Sequence, residues 1–417
     1  MDSTSFLILV TGVFGFYMAW NIGANDVANA MGTSVGSRAL TYRKAIIAAA
    51  VFEFAGALLV GGHVTSTIQG KVLEVTFFEG REIDLALGMM AALVSAGIWL
   101  QFATWRGWPA STTHSILGAL FGLGLTTGGF GIIKWRMMSQ IVLSWIISPV
   151  VGGIVAWLVF MLILRGIIRR PDPRRALVQV VPLLLFFFFF ITTLNLLFKG
   201  LKNLDLQLST YQVLAVALAA GLLAAGVGLV TVPHAVRTGA GGHSRRQVES
   251  IFSVLQVMTA CYMAFAHGAN DVANAIGPLS AVATILQQGV GALAGSVPLW
   301  VLLLGGSGIV SGLATWGWRV MQTVGHNITG IAPTRGFAAE FGAATTVLVC
   351  SKLGLPVSTT HTLVGAVVGI GLLRGMQSLN MRLVGQVFAS WLITVPFTAA
   401  LCAILYWILK WIWVLAT

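Results

Sequence analysis

Long apolar runs separated by short polar loops leave this chain few folds to choose from. They occupy residues 6–21, 45–61, 85–104, 111–130, 137–164, 177–198, 211–232, 250–267, 298–317, 337–352, 357–373 and 384–409. A helix needs about 20 apolar residues to span a bilayer. Inside hydrocarbon the backbone must satisfy its own hydrogen bonds, which a helix does. Only 9% of the 417 residues are charged and 57% are hydrophobic, whereas a soluble domain carries roughly 25% charged residues. A soluble globular enzyme is thereby excluded. The predicted fold class is an all-α polytopic membrane protein with about 12 transmembrane segments. Runs 6–21, 337–352 and 357–373 are short for a full crossing, and short or Gly/Pro-interrupted segments point to broken helices and re-entrant hairpins.

The net charge of +12 would suggest nucleic acid in a soluble chain. Here most basic residues sit in short loops, where they report topology instead. With the N-terminus outside, 16 basic residues fall inside and 8 outside. The inner set includes Arg38, Arg43, Lys44 and the RRPDPRR break at 169–175, which can also touch anionic headgroups; the outer set includes Lys199 and Lys202. The positive-inside rule then puts both termini outside, in a multi-pass protein of the cell membrane. The opening MDSTSFLILVTGVF lacks a basic n-region and a small-residue cleavage site, so it reads as a retained first span. Cys261, Cys350 and Cys402 form no disulfide framework and no metal spacing. The Phe186–Phe190 run reads as lipid contact.

The chain is duplicated. GANDVANA stands at 23–30 and again, letter for letter, at 268–275. GWPASTTHSILGA at 107–119 is answered by GLPVSTTHTLVGA at 354–366, and the spacing from octapeptide to serine is 88 positions in one half and 90 in the other. The expected organisation is repeat 1 over 1–164, linking spans and loops over 165–249 and repeat 2 over 250–417. On the topology above, the first octapeptide ends a span running inwards and the second a span running outwards. The halves are therefore predicted to be inverted repeats, an architecture of alternating-access carriers.

Of the twelve carboxylates, Asp26, Glu53, Asp271 and Glu340 have apolar or small neighbours. An ionisable group at the centre of a span costs at least about 2.5–3.5 kcal/mol, so each is a functional candidate, set against a neutral or helix-paired structural acid. Gly and Asn tolerate irregular backbone, so Asn25-Asp26 and Asn270-Asp271 are expected to interrupt their helices. Freed carbonyls, amide oxygen and carboxylate would form an all-oxygen nest for a hard cation such as Na⁺; a carboxylate alone can also carry a proton. Asn29 and Asn274 read equally well as inter-helix hydrogen bonds.

In the Gly-x-Pro-x-Ser-Thr-Thr-His motifs, Ser111 and Ser358 fit N-caps. Hydroxyls of Ser111, Thr112, Thr113 and of Ser358, Thr359, Thr360 converge there with free backbone N–H groups and the positive end of a helix dipole. That is an anion site, and phosphate is a usual occupant. A capped helix start without ligand is the bland alternative. His114 and His361 are expected to orient a cap or a carboxylate. A Ser358–His361 hydrolytic pair is the reading from another class, and it has neither glycine elbow nor third partner.

Both octapeptides and both STTH motifs resemble the inorganic phosphate transporter (Pit) family of phosphate permeases. The resemblance covers nearly the whole chain. It implies no enzyme but a secondary transporter with inverted repeats and two re-entrant hairpins, carrying inorganic phosphate by symport with Na⁺ in some members and H⁺ in others, without a further cofactor. By matching position it implies that Asn25, Asp26, Asn270 and Asp271 bind the coupling cation, with Na⁺ at Asp26 and Asp271, and border the phosphate. It implies that Ser111, Thr112, Thr113, Ser358, Thr359 and Thr360 grip phosphate, and that Glu53 and Glu340 serve cation coupling. His267 also matches a family position, as a proton or gating residue. The position opposite Glu53 falls near Val297-Pro298 and that opposite Glu340 near Leu93, so the glutamates are not symmetric. Some relatives carry sulfate, which keeps another oxyanion open. A homodimer is compatible with the resemblance.

Overall fold

The computed structural model describes residues 3–197, 208–238, 244–294, 297–321, 332–374 and 381–416. Asp2, Lys199, Lys202, Asp205 and the Gly-rich stretch 239–243 lie outside them. The described chain is helical, with one isolated antiparallel bridge between Leu73 and Ile133. In order the helices are α1 (Ser3–Gly36), α2 (Tyr42–Val60), α3 (Gly62–Gly70), α4 (Glu82–Trp105), α5 (Thr112–Gly128), α6 (Trp135–Ile163) and α7 (Pro173–Leu197). They continue as α8 (Thr210–Thr238), α9 (Ser244–Asp271), α10 (Ala273–Gln288), α11 (Leu299–Thr315), α12 (Pro333–Lys352), α13 (Thr359–Arg374) and α14 (Met381–Ala416). Among the described residues eight helical stretches are long and apolar enough to cross a membrane, or nine with α2 and α3, which meet at a 63° bend. The protein is an integral, multi-pass, all-α membrane protein.

Three expectations are corrected. The first span is not short: α1 is one helix of 34 residues. It runs through the first GANDVANA without a break, because Gly23, Asn25 and Asn29 permit irregular backbone but do not force it. In the second copy the helix is interrupted only at Val272, and α10 follows at once. α10 itself falls outside the apolar runs, since Asn274, Pro278, Ser280 and Thr284 break its hydrophobicity.

Small residues let backbones approach where apolar matter surrounds both partners. Gly23 of α1 presses on α11, where an added Cβ would lie 1.9 Å from the Ile309 carbonyl oxygen. Gly268 of α9 does the same on α2, at 2.0 Å from the carbonyl oxygen of Glu53. α5 packs on α14, with Gly122 against Ala399, and α13 packs on α6, with Gly365 against Pro149. Much of α1, α4, α5, α9, α10 and α12 is buried. α8 instead shows Leu222, Leu223 and Val230 on the outside, as lipid contact requires. The phenylalanine run divides: Phe187 is exposed, while Phe188 is buried with its ring 5.7 Å from that of Tyr262.

Candidate functional site

The two octapeptides and the two STTH motifs meet in the buried centre. Ser111 caps α5, its side-chain oxygen accepting from the His114 N–H at 3.2 Å. Ser358 precedes α13 and accepts from the His361 N–H, also at 3.2 Å. Proline two residues earlier in each motif (Pro109, Pro356) cannot continue a helix arriving from upstream, so both helices start afresh. The hydroxyls of Thr112, Thr113 and Thr360 meet residues of the octapeptides.

Each asparagine is fastened to the turn that precedes an STTH helix. Asn25 donates from Nδ2 to Thr104 Oγ1 (2.9 Å) and to the Trp108 carbonyl (3.0 Å), and its Oδ1 accepts from the Ala110 N–H (3.1 Å). Asn270 donates to the Val357 carbonyl at 2.7 Å and accepts from Ser351 at 3.2 Å. Asn29 and Asn274 tie the halves across: Asn29 donates to Thr360 Oγ1 at 2.8 Å, and Asn274 lies 3.2 and 3.3 Å from Thr112 and Thr113 Oγ1. The inter-helix reading of these two asparagines therefore holds.

Thr112 links the aspartates. Its Oγ1 is 2.9 Å from Asp26 Oδ2 and 3.2 Å from Asp271 Oδ1. One hydroxyl carries one proton, so it donates to one carboxylate at a time. Asp271 Oδ1 is also approached by Thr113 Oγ1 (3.3 Å), Asn270 Nδ2 (3.1 Å) and Asn274 Nδ2 (3.0 Å). By contrast, Asp26 Oδ1 and Asp271 Oδ2, both buried, accept no hydrogen bond among the described residues. Beside them lies His267, fully buried. Its Nε2 is 3.3 Å from Asp271 Oδ2 and 3.7 Å from Asp26 Oδ2, and its Nδ1 is 3.2 Å from Glu53 Oε1. Asp26, His267 and Asp271 each offer one ligand atom, all within 4.8 Å of one another. When ionised, three carboxylates around one imidazole outweigh the single positive charge of a protonated ring. A bare anion is repelled from such a place and a cation is drawn in.

Glu340 stands apart. Its carboxylate accepts from Ser34 Oγ (2.8 Å), Gln256 Nε2 (3.1 Å), Thr259 Oγ1 (2.6 Å) and the Thr33 hydroxyl. These donors come from the end of α1 and from α9. Glu53 therefore joins the central cluster, and Glu340 ties three helices together elsewhere. The histidine expectation also changes. The rings of His114 and His361 face each other and two tryptophans, and only their backbone N–H groups serve the caps.

The phosphate transporter family matches this chain over residues 22–402. The chain belongs to the phosphate transporter family. Among relatives of this family, the chloroplastic inorganic phosphate transporter 2-1 of Arabidopsis thaliana is 44% identical, over 97% of this chain and 72% of its own. A protein of Haemophilus influenzae named as a phosphate permease is also 44% identical, over 97% of both chains. A solved structure described as the sodium-dependent phosphate transporter superposes with a TM-score of 0.88 at 40% identity, covering 97% of this chain and 99% of its own. Phosphate transporters are not enzymes, and the hydrolase reading falls with the family. The geometry concurs, since Ser358 binds the His361 backbone rather than its ring.

Several polar partners in this phosphate transporter escape sequence reading. Thr104, Ser351, Thr33, Ser34, Gln256 and Thr259 lie in helices outside the two motifs, and only the fold reveals what each faces. One signal exists for the last two: Gln256 and Thr259, three residues apart, share a face of α9.

Proposed function

We propose that this protein is a secondary active transporter that imports inorganic phosphate by symport with Na⁺, through alternating access of two inverted halves. The observation that carries the reading is Thr112. Its hydroxyl joins the carboxylates of both octapeptides, and it stands in the first turn of a helix whose N-terminus suits an oxyanion. Cation site and anion site thus share a residue. Asp26 Oδ1, which accepts no hydrogen bond among the described residues, and Asp271 Oδ2, 3.3 Å from His267 Nε2, are oxygens of the kind a hard cation takes. Bound Na⁺ neutralises the aspartates, and phosphate then meets the hydroxyls of Ser111, Thr112, Thr113, Ser358, Thr359 and Thr360 with Asn25 and Asn270 alongside.

The inverted arrangement, with twelve membrane segments in halves 1–164 and 250–417 linked by 165–249, is supported by reciprocal packing. α1 lies on α11 as α9 lies on α2, and α5 lies on α14 as α13 lies on α6. Each octapeptide glycine abuts a backbone carbonyl of the other half. The energetics demand coupling. An opposing potential costs about 2.3 kcal/mol per charge per 100 mV, so HPO₄²⁻ needs two Na⁺ to cross electroneutrally. We assign the cell membrane with both termini outside, on the basic-residue distribution; the Arabidopsis relative is chloroplastic.

A second reading keeps the site and changes the ion: His267 among Asp26, Glu53 and Asp271 is a proton acceptor for H⁺ symport. Proteoliposomes given an imposed Na⁺ gradient or an imposed H⁺ gradient decide between them. Accumulation of labelled phosphate on the Na⁺ gradient alone is expected. Uptake driven by pH without Na⁺ overturns the choice of ion. Competition by sulfate tests the substrate, and equal competition overturns phosphate.

A further inference from the structure

The two STTH histidines have no part in the shared pocket just described, yet both are buried and neither is near a carboxylate among the polar contacts above. His114 and His361 occupy the same place in their helices, one residue beyond Thr113 and Thr360. Their ring centroids are 4.3 Å apart, edge to face at 74°. The His114 ring also meets Trp145 of α6, at 3.8 Å, and the His361 ring meets Trp391 of α14, stacked at 3.3 Å. Four rings, from α6, α5, α13 and α14, thus pack in one cluster.

The crossing matters. α6 is the helix on which α13 rests, and α14 the one on which α5 rests. Each tryptophan thus reaches from one tip's support to the ring of the other tip. Trp145 also donates from Nε1 to the Pro356 carbonyl, at 3.2 Å, in the turn before Ser358. Next to the rings the tips exchange hydrogen bonds: Thr113 Oγ1 donates to the Val357 carbonyl (3.0 Å), and Thr360 Oγ1 lies 3.5 Å from the Ala110 carbonyl.

We propose that His114 and His361 are positioning residues, whose ring contact, clamped between Trp145 and Trp391, sets the separation of the two helix N-termini. The inference rests on the reading that both N-termini grip one phosphate. An oxyanion held from two sides is sensitive to that separation, since misplacement of about 1 Å in a binding constellation has large effects. The cation-holding carboxylates lie on α1 and α9, outside the ring stack, and meet α5 only through the hydroxyls of Thr112 and Thr113 among the described residues.

Phosphate uptake by the full chain in proteoliposomes tests this with His114→Ala, His361→Ala, the double alanine variant and the two phenylalanine variants. Each alanine variant is expected to raise the phosphate KM about tenfold, the scale of one lost aromatic pair, and the Na⁺ half-saturation by a smaller factor, since Asp26 and Asp271 keep their places on α1 and α9. The double variant is expected to cost less than the sum of the two single ones, because each single variant already breaks the His114–His361 contact. His114→Phe and His361→Phe keep a flat ring and are expected to restore the KM. An unchanged KM with lower Vmax overturns the proposal, as does failure of the phenylalanine variants to restore it. If the alanine proteins do not fold, Trp145→Leu loosens the clamp from its support, and an unchanged KM there also overturns it. Wild-type protein unable to accumulate phosphate would instead sink the transport reading beneath it.

Discussion

Asp271→Asn isolates charge from shape. Asp271 Oδ1 is approached by the amides of Asn270 and Asn274 and by the hydroxyls of Thr112 and Thr113, whose single protons also serve Asp26 and the Val357 carbonyl. The asparagine carbonyl can occupy that place and keep them. The other oxygen, 3.3 Å from His267 Nε2, becomes an amide, and one negative charge leaves the cluster. At about 4 Å and an effective dielectric of about 20, one charge attracts a monovalent cation by about 4 kcal/mol. Losing it weakens Na⁺ binding by about three powers of ten, at 1.36 kcal/mol per decade. Binding stabilises the folded state by about 2.7 kcal/mol when [Na⁺] is 100 times Kd, and by only about 0.06 kcal/mol at one-tenth of Kd. The assay is therefore double: initial rates of labelled phosphate uptake in proteoliposomes, and thermal unfolding with and without Na⁺. The expected result is no uptake and no Na⁺-dependent stabilisation, with Na⁺-free stability equal to wild type or higher because like-charge repulsion is relieved. Normal Na⁺-driven accumulation, or an undiminished thermal shift, refutes the reasoning.

Thr112→Val keeps the shape and removes the hydroxyl between Asp26 and Asp271; a cost of about 1–3 kcal/mol is expected, read as a rise in both the phosphate KM and the Na⁺ half-saturation, and a change in only one contradicts the shared site. Glu340→Gln turns an amide N–H₂ towards some of the four donors around Glu340, so its thermal unfolding in Na⁺-free detergent should fall by about 1–3 kcal/mol of stability, unlike Asp271→Asn. Gly268→Ala puts a methyl 2.0 Å from the carbonyl oxygen of Glu53; size-exclusion chromatography should recover no monodisperse protein, and recovery at wild-type yield contradicts the packing. Asp84→Asn loosens a half-exposed pair with Lys410 at 3.0 Å and Arg81 at 2.8 Å; a loss under about 1 kcal/mol is expected, and a larger one shows that this outer contact matters more than surface pairs do.

Much of the site is written in the chain because its chemistry needs particular residue types side by side. Asn-Asp beside glycine and Ser-Thr-Thr after proline are rare inside apolar runs, and their repetition at near-equal spacing announces a pocket built from two halves. The serine caps follow from the same local rule and stand as expected. Other features depend on what lies across the helix. Nothing in VFEFAG or GFAAEFG separates Glu53, beside His267, from Glu340, among hydroxyls and an amide. That difference is set by Thr33, Ser34, Gln256 and Thr259, between 81 and 307 residues away along the chain. Likewise Gly23 and Asn25 suggested a broken helix, because permissive residues look like breaks until packing against α11 holds them helical. The ring stack of His114 and His361 is invisible for a similar reason: each half contains only part of it.

The central claim is that cation and oxyanion occupy one pocket, so that neither crosses alone. Simultaneous fluxes of ²²Na⁺ and ³²P-phosphate in the same proteoliposomes test it most directly, with any pH gradient collapsed. The account predicts that phosphate entry requires Na⁺, that ²²Na⁺ entry requires phosphate, and that both disappear in Asp271→Asn. Rapid ²²Na⁺ entry without phosphate, or phosphate entry without Na⁺, contradicts it.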